Sequence, residues 1–307
     1  MSYRIEQIVE CETYLGESPV WDVETGIFWW VDGTGQRKGK DNIFRLDPRS
    51  GKIDTRAIAN HDIGALAIRK NGGLVLALDD GFYFYDFDGD TLDLITPIEE
   101  KQPRTRLNDG KVDRRGRFIA GGMDDLEELA ICGIWRLDPD LSTHQIGGGI
   151  ICTNGPSWSP DDKTFYITDT FQDVMWAYDY DIETGTLSNQ RDFASTQGRN
   201  GICDGSTVDA DGCVWTAELR TGELVRRTPD GEEERRIGMP VKNITSVMFG
   251  GTDLDEIYVT SMARIDHPGA EAHDAFVTED HPQFGAGSLF KVTGLGIRGV
   301  PEPRFGG

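Results

Sequence analysis

The 307-residue sequence predicts an all-β fold: a six-bladed β-propeller with four antiparallel strands per blade. Three observations point there. One hairpin type recurs six times at steps of 46, 45, 46, 50 and 41 residues, a second type interleaves with it, and amphipathic helical periodicity is scarcely visible. Four-stranded units repeating every ~40–50 residues are the signature of a propeller, and the regular spacing weighs against a β-sandwich or a two-domain β-protein.

The first hairpin type starts at Trp21, Ala67, Val112, Trp158, Val208 and Phe249. The segment GICDGSTVDADGCVWTAEL (201–219) shows its grammar. Asp204 and Gly205 lead into a strand around Val208, an Asp-Gly turn follows at Asp211–Gly212, and a second strand carries Val214, Trp215 and Ala217. An Asp-Gly pair between two β-prone runs is a strong hairpin signal. The second type starts at Phe44, Tyr85, Trp135, Ala177, Leu224 and Leu289, completing four strands per repeat. The segment around Arg4–Val9 has no first-type hairpin before it, so it is expected to pair with the last blade and close the ring. Six blades take up residues 1–307 as one domain. The last connection, about 263–287, is longer and holds His267, His273 and His281 at spacings that match no compact ligand motif, so it reads as a surface loop.

Composition narrows the function classes. The formal charge of −22, from 53 acidic against 31 basic residues, argues against nucleic-acid binding. No run reaches the ~18 apolar residues of a membrane span, and the opening MSYRIEQIVE lacks a signal-peptide pattern. These features give the expectation of a soluble, cytoplasmic protein. The five cysteines, Cys11, Cys132, Cys152, Cys203 and Cys213, show no C-x-x-C spacing and read as reduced thiols. Oligomeric state is not legible.

In a propeller the innermost strand of every blade starts at the same end of the channel, so residues at equivalent positions before those strands face one another. Four residues before each first-type hairpin stand Glu17, Ile63, Asn108, Asn154, Asp204 and Thr245. Two carboxylates and two amides among them suit one divalent cation with oxygen ligands. Taken singly, an Asn or Asp before Gly is a turn former; it is the common register of four that points to a metal. Arg106 lies two residues before Asn108, so strand alternation directs both to the same mouth.

In these segments the chain resembles the gluconolactonase/regucalcin (senescence marker protein) family of six-bladed propellers. The matching stretches are LGESPVWD (15–22), RLNDGKVDRRGRFIAGGM (106–123), TNGPSWSPDDKTFYITDT (153–170), CDGSTVDADGCVW (203–215) and SVMFGGTDLDEIYVTSM (246–262). The resemblance implies a divalent metal held by Glu17, Asn154 and Asp204, with Asn108 either ligating or beside it. It also implies a substrate contact from Arg106 and hydrolysis of a sugar lactone. Two departures stand out. Ser18-Pro19 replaces the usual Gly-Pro, and Leu126 falls where some sugar lactonases carry a substrate-binding Glu, which leaves Asp124 or Asp125 as substitutes.

The expected reaction is metal-dependent opening of an aldonolactone (glucono-, arabinono- or xylono-lactone) to the aldonic acid. The cation polarises the carbonyl, and Asp204 or a hydroxide on the cation is the base. Ca, Mg, Mn, Zn and Fe(II) all suit oxygen ligands. There is no G-x-S-x-G elbow, and the five matching stretches contain no histidine to serve a nucleophile. The alternatives are a metal-dependent esterase or phosphotriesterase, and a calcium-binding regulatory protein without turnover.

Overall fold

The computed structural model describes residues 3–11, 13–33, 41–98, 104–263 and 285–307. The strands of these residues fall into six four-stranded antiparallel sheets. The first strands are Gly16–Asp22, Ile63–Ile68, Thr105–Val112, Thr153–Trp158, Ile202–Val208 and Ile244–Gly250. Each packs against the first strands of both neighbouring blades, and the series returns from Ile244–Gly250 to Gly16–Asp22. That closed circuit makes the sheets a propeller. The expected closure is present as well: Arg4–Val9 is the outermost strand of the sixth blade, paired antiparallel with Leu289–Thr293. The ring thus leaves no open seam between first and last blades.

Burial follows position in the blade. Ile63–Ile68 and Ile202–Val208 are buried at every residue, whereas outer strands such as Thr91–Pro97 are largely exposed or half-buried. An inner strand is covered on both faces by neighbouring blades, so small and apolar residues replace the usual alternation. The hairpin grammar has a physical basis too. Asp209 Oδ1 accepts from the N–H groups of Asp211 and Cys213, both at 3.0 Å, and Asp113 Oδ1 does the same for Arg115 and Arg117 at 2.9 Å. Asp22, Asp113 and Asp209 thus each accept from the turn that follows their inner strand.

After Thr293 the C-terminal tail crosses the far end of the channel. Ala210 N donates to Arg298 O, Gly299 N to Leu254 O, Phe305 N to Ile68 O and Gly306 N to Gly116 O, at 2.8–2.9 Å. Arg304 meets Asp22 at 2.6 Å, so five blades are tied to one strap. Phe305 at its end is fully buried beside Ala65, Ala67 and Phe82. The connection carrying His267, His273 and His281 lies outside the described residues, and no helix among those described is long and apolar enough to cross a membrane.

Candidate active site

All six inner strands slip register near their entry into the channel: between Glu17 and Val20, Ile63 and Ala65, Leu107 and Gly110, Asn154 and Ser157, Cys203 and Ser206, and Ile244 and Val247. A bulge re-aims the side chains beside it, and here six bulges act at one mouth. The glycines that follow the site residues belong to this device and not to turns. A Cβ on Gly155, whose φ is +58°, would sit 2.5 Å from Ser206 Oγ, and one on Gly205 2.0 Å from Ser246 Oγ. Neighbouring inner strands approach too closely for any side chain there. Ser18 holds the corresponding conformation, φ +49°, and its hydroxyl accepts from Leu66 N at 2.9 Å across to the next blade.

Asn108, Asn154 and Arg106 form one connected group. Asn154 Nδ2 donates to Thr170 Oγ1 at 2.8 Å, while Asn154 Oδ1 accepts from Asn108 Nδ2 at 3.2 Å. Asn108 Nδ2 also donates to Thr153 O at 2.8 Å, and Asn108 Oδ1 accepts from Arg106 Nη1 at 3.0 Å. A carbonyl can only accept and a guanidinium only donate, so both amide orientations are determined. Asn154 turns its oxygen to the ring. Asn108 turns its nitrogen there and its oxygen to Arg106.

The carboxylates feel one another. Burial, then Asp204, then Asp109 push Glu17 well above the usual carboxyl range. Burial and then Asp109 do the same to Asp204. Two acids that repel one another away from solvent resist joint ionisation; with the Asn154 oxygen they offer donor atoms of the kind a divalent ion takes. Ile63 and Thr245 complete the ring without offering a ligand: Ile63 is buried in the core, and Thr245 Oγ1 is engaged with Gly16 O and Thr260 Oγ1.

The two acids proposed as substrate contacts separate. Asp124 is fully buried, with Arg104 bidentate on it at 2.5 Å and the N–H groups of Glu128 and Leu129 donating at 3.0 and 2.8 Å. Arg104 and these amides hold it well below the usual carboxylate range. Its oxygens are engaged by Arg104 and by the amides of the loop that follows. Asp125 is half-buried, 3.4 Å from Arg106 Nε, and raised by its burial against the pull of Arg106. Leu126 points outward, 59% exposed.

Sequence reasoning missed three inward groups. Asp109 is buried, its Oδ2 accepting from Gly155 N at 2.8 Å and its Oδ1 from Gly110 N at 2.7 Å. Lys111 is buried two residues on. Cys152 Sγ lies 3.6 Å from Asn108 Nδ2, its thiol pushed well above its ordinary pKa by burial and then by Asp204. The signal for the first two was the pair of charged residues in NDGK, set on a strand that is otherwise buried. A second group, His61 with Asp79 at 2.9 Å and Asp80 at 3.5 Å, stands before the second inner strand.

A family model described as the SMP-30/gluconolactonase/LRE-like region matches residues 15–263. The chain belongs to this family. It is 35% identical over 313 residues to a regucalcin of Xenopus laevis, covering 100% of this chain and 99% of the relative. It is 32% identical over 309 residues to a 6-deoxy-6-sulfogluconolactonase of Pseudomonas putida, covering 100% of both. The crystal structure of a regucalcin from Agrobacterium tumefaciens, described as a calcium-binding protein, superposes with a TM-score of 0.84 at 26% identity, covering 97% of this chain and 96% of that one.

Proposed function

We propose that this protein is a divalent-metal-dependent lactonase that opens a sugar lactone to its aldonic acid. The observation that carries the reading is the oriented Asn154 oxygen, beside half-buried Glu17, whose ionisation the Asp204 charge opposes, and buried Asp204. The lactonase among the relatives supports the reaction class, and the calcium-binding regucalcin supports the cation.

Glu17, Asn154 and Asp204 would hold the ion. Once bound, it supplies polarisation of the lactone carbonyl and acidification of water. The rest falls to the chain. Arg106, braced by Leu107 O and Asn108 Oδ1 at 3.0 Å each, is the donor for negative charge developing on the carbonyl oxygen. Asn108 fixes that guanidinium. Asp125 orients the ring hydroxyls, the role left open by Leu126. Asp204 takes the proton of the attacking water, its basicity raised by burial beside Asp109.

The test is proton release from a panel of aldonolactones, corrected for spontaneous hydrolysis, with chelated enzyme re-supplied with Ca, Mg, Mn, Zn or Fe(II) in turn. Turnover is expected with a restored metal and lost in Asp204→Asn. Metal uptake without turnover on any lactone refutes the enzymatic reading in favour of a regulatory binding protein. Faster turnover of aryl esters or phosphotriesters refutes the substrate class.

A further inference from the structure

Thr245 holds the sixth place in the ring of site residues, and its hydroxyl meets the backbone beside Glu17. Thr245 Oγ1 donates to Gly16 O, across the junction between the sixth blade and the first. A carbonyl only accepts, so this bond takes the one hydroxyl proton of Thr245. Thr260 is therefore the donor in its 2.9 Å contact with Thr245, and Thr260 Oγ1 accepts in turn from Ser246 N at 3.1 Å. The bonds run in one direction, from Ser246 N through two buried hydroxyls to Gly16 O, and the members of such a chain strengthen one another.

The other side of Glu17 is fastened too. Ser18 is buried at φ +49°, a left-handed conformation that a residue with a Cβ keeps only where its surroundings impose it. Leu66 N in the second blade donates to Ser18 Oγ at 2.9 Å, and Ser18 N donates to Glu17 Oε2 at 3.3 Å. Glu17 thus stands between two sequence neighbours, one bonded to the sixth blade and one to the second. Gly16 leaves no slack: a Cβ there would lie 2.7 Å from Ser261 O.

The same arrangement recurs at the other two donors. Asp109 of the third blade accepts from Gly155 N, next to Asn154, at 2.8 Å, and Thr170 of the fourth donates to Cys203 O, next to Asp204, at 2.9 Å. In each case a side chain of the preceding blade grips the backbone beside the donor. We propose that Thr245 and Ser18 are positioning residues that set the Glu17 carboxylate in the cation site, so that affinity for the ion depends on two hydroxyls that are not its ligands. The inference rests on the metal reading above, with Glu17 as a ligand.

A merely structural hydroxyl predicts something else. Its loss lowers the melting temperature and leaves the affinity of the folded protein alone, or lowers affinity by the same factor whatever stands at position 17. A positioning hydroxyl acts through Glu17, so its effect disappears once the Glu17 carboxylate is gone.

Chelated wild type, Thr245→Val, Thr245→Ser, Ser18→Gly, Glu17→Gln and the doubles T245V/E17Q and S18G/E17Q are titrated by calorimetry. The ion is whichever of Ca2+, Mn2+ and Zn2+ the wild type takes up most tightly, and melting curves with and without it extend the comparison to weak binding. Val keeps the shape of Thr and deletes the hydroxyl, while Gly suits φ +49° and deletes the bond to Leu66. T245V and S18G are each expected to lose about five- to tenfold in affinity, and T245S to stay within about twofold of wild type. In the E17Q background each loss is expected to shrink to less than about twofold. Wild-type affinity in both T245V and S18G, or an equal loss with and without the Glu17 carboxylate, overturns the proposal and leaves the metal reading standing. Should T245V fail to fold, S18G and S18G/E17Q decide. A wild type that takes up none of the ions overturns both.

Discussion

Thr170 fixes which way Asn154 faces. Its hydroxyl donates to Cys203 O at 2.9 Å, so its lone pair is what meets the Asn154 amide nitrogen at 2.8 Å. The oxygen of Asn154 is thereby turned to the ring by a residue anchored on the carbonyl next to Asp204. Thr170→Val keeps the shape and deletes the acceptor. The expected outcome is metal affinity lower by about five- to tenfold, from the ~1 kcal/mol of one lost buried hydrogen bond. Thr170→Ser is expected to stay close to wild type; titration calorimetry on chelated protein compares the two.

The mutual opposition of Glu17 and Asp204 has a stability consequence. Both carboxyls are raised in the folded protein, so without metal the native state holds protons that the unfolded chain releases from about pH 4 upward. Stability of the chelated protein therefore falls as pH rises through the interval between the unfolded and folded values. Asp204→Asn removes the repulsion. Chelated D204N is expected to melt about 2–4 °C above chelated wild type at neutral pH, although it no longer gains stability from added metal. Melting curves with and without metal, from pH 4 to 8, check both signs.

Arg106 is held in place from within its own blade, so its loss is read in kinetics and not in folding. Arg106→Met is expected to lower kcat/KM for the lactone by about a hundredfold or more while metal affinity changes by less than about threefold. Asp125→Asn is expected to raise KM, whereas Asp124→Asn is expected to lower the melting temperature, because Asp124 secures Arg104 and the loop amides. Steady-state kinetics paired with thermal melts separates the neighbouring acids.

The tail is a fastening with its anchor at Phe305, which is fully buried. Phe305→Ala is expected to cost about 3–5 kcal/mol, measured by urea unfolding, with binding of the metal unaffected in the fraction that remains folded.

Much of the fold was legible because blades repeat. The same local pattern, a tight turn between two β-prone runs, is written six times, and its period alone names the architecture. The six residues counted back from the hairpins share a register for the same reason. Asp109 and Lys111 were not recognised, because in NDGK a charged residue on a strand reads as solvated until the strand is known to line a closed channel. Asp124 and Asp125 read as equivalents, and only packing against Arg104 on one side and Arg106 on the other tells them apart.

The sequence alone thus determined the number of blades, their order, the closing strand and the family resemblance, since each rests on local turns and spacing. Tertiary structure decided whether the oxygen or the nitrogen of each amide faces the ring, which acids lose their solvent and which cations face them. Those properties depend on distance and burial between residues far apart in the chain, and no spacing along a strand encodes them. The tail strap belongs with the latter: a segment without a repeat signature gains its role only from the five blade ends that the closed ring brings beneath it.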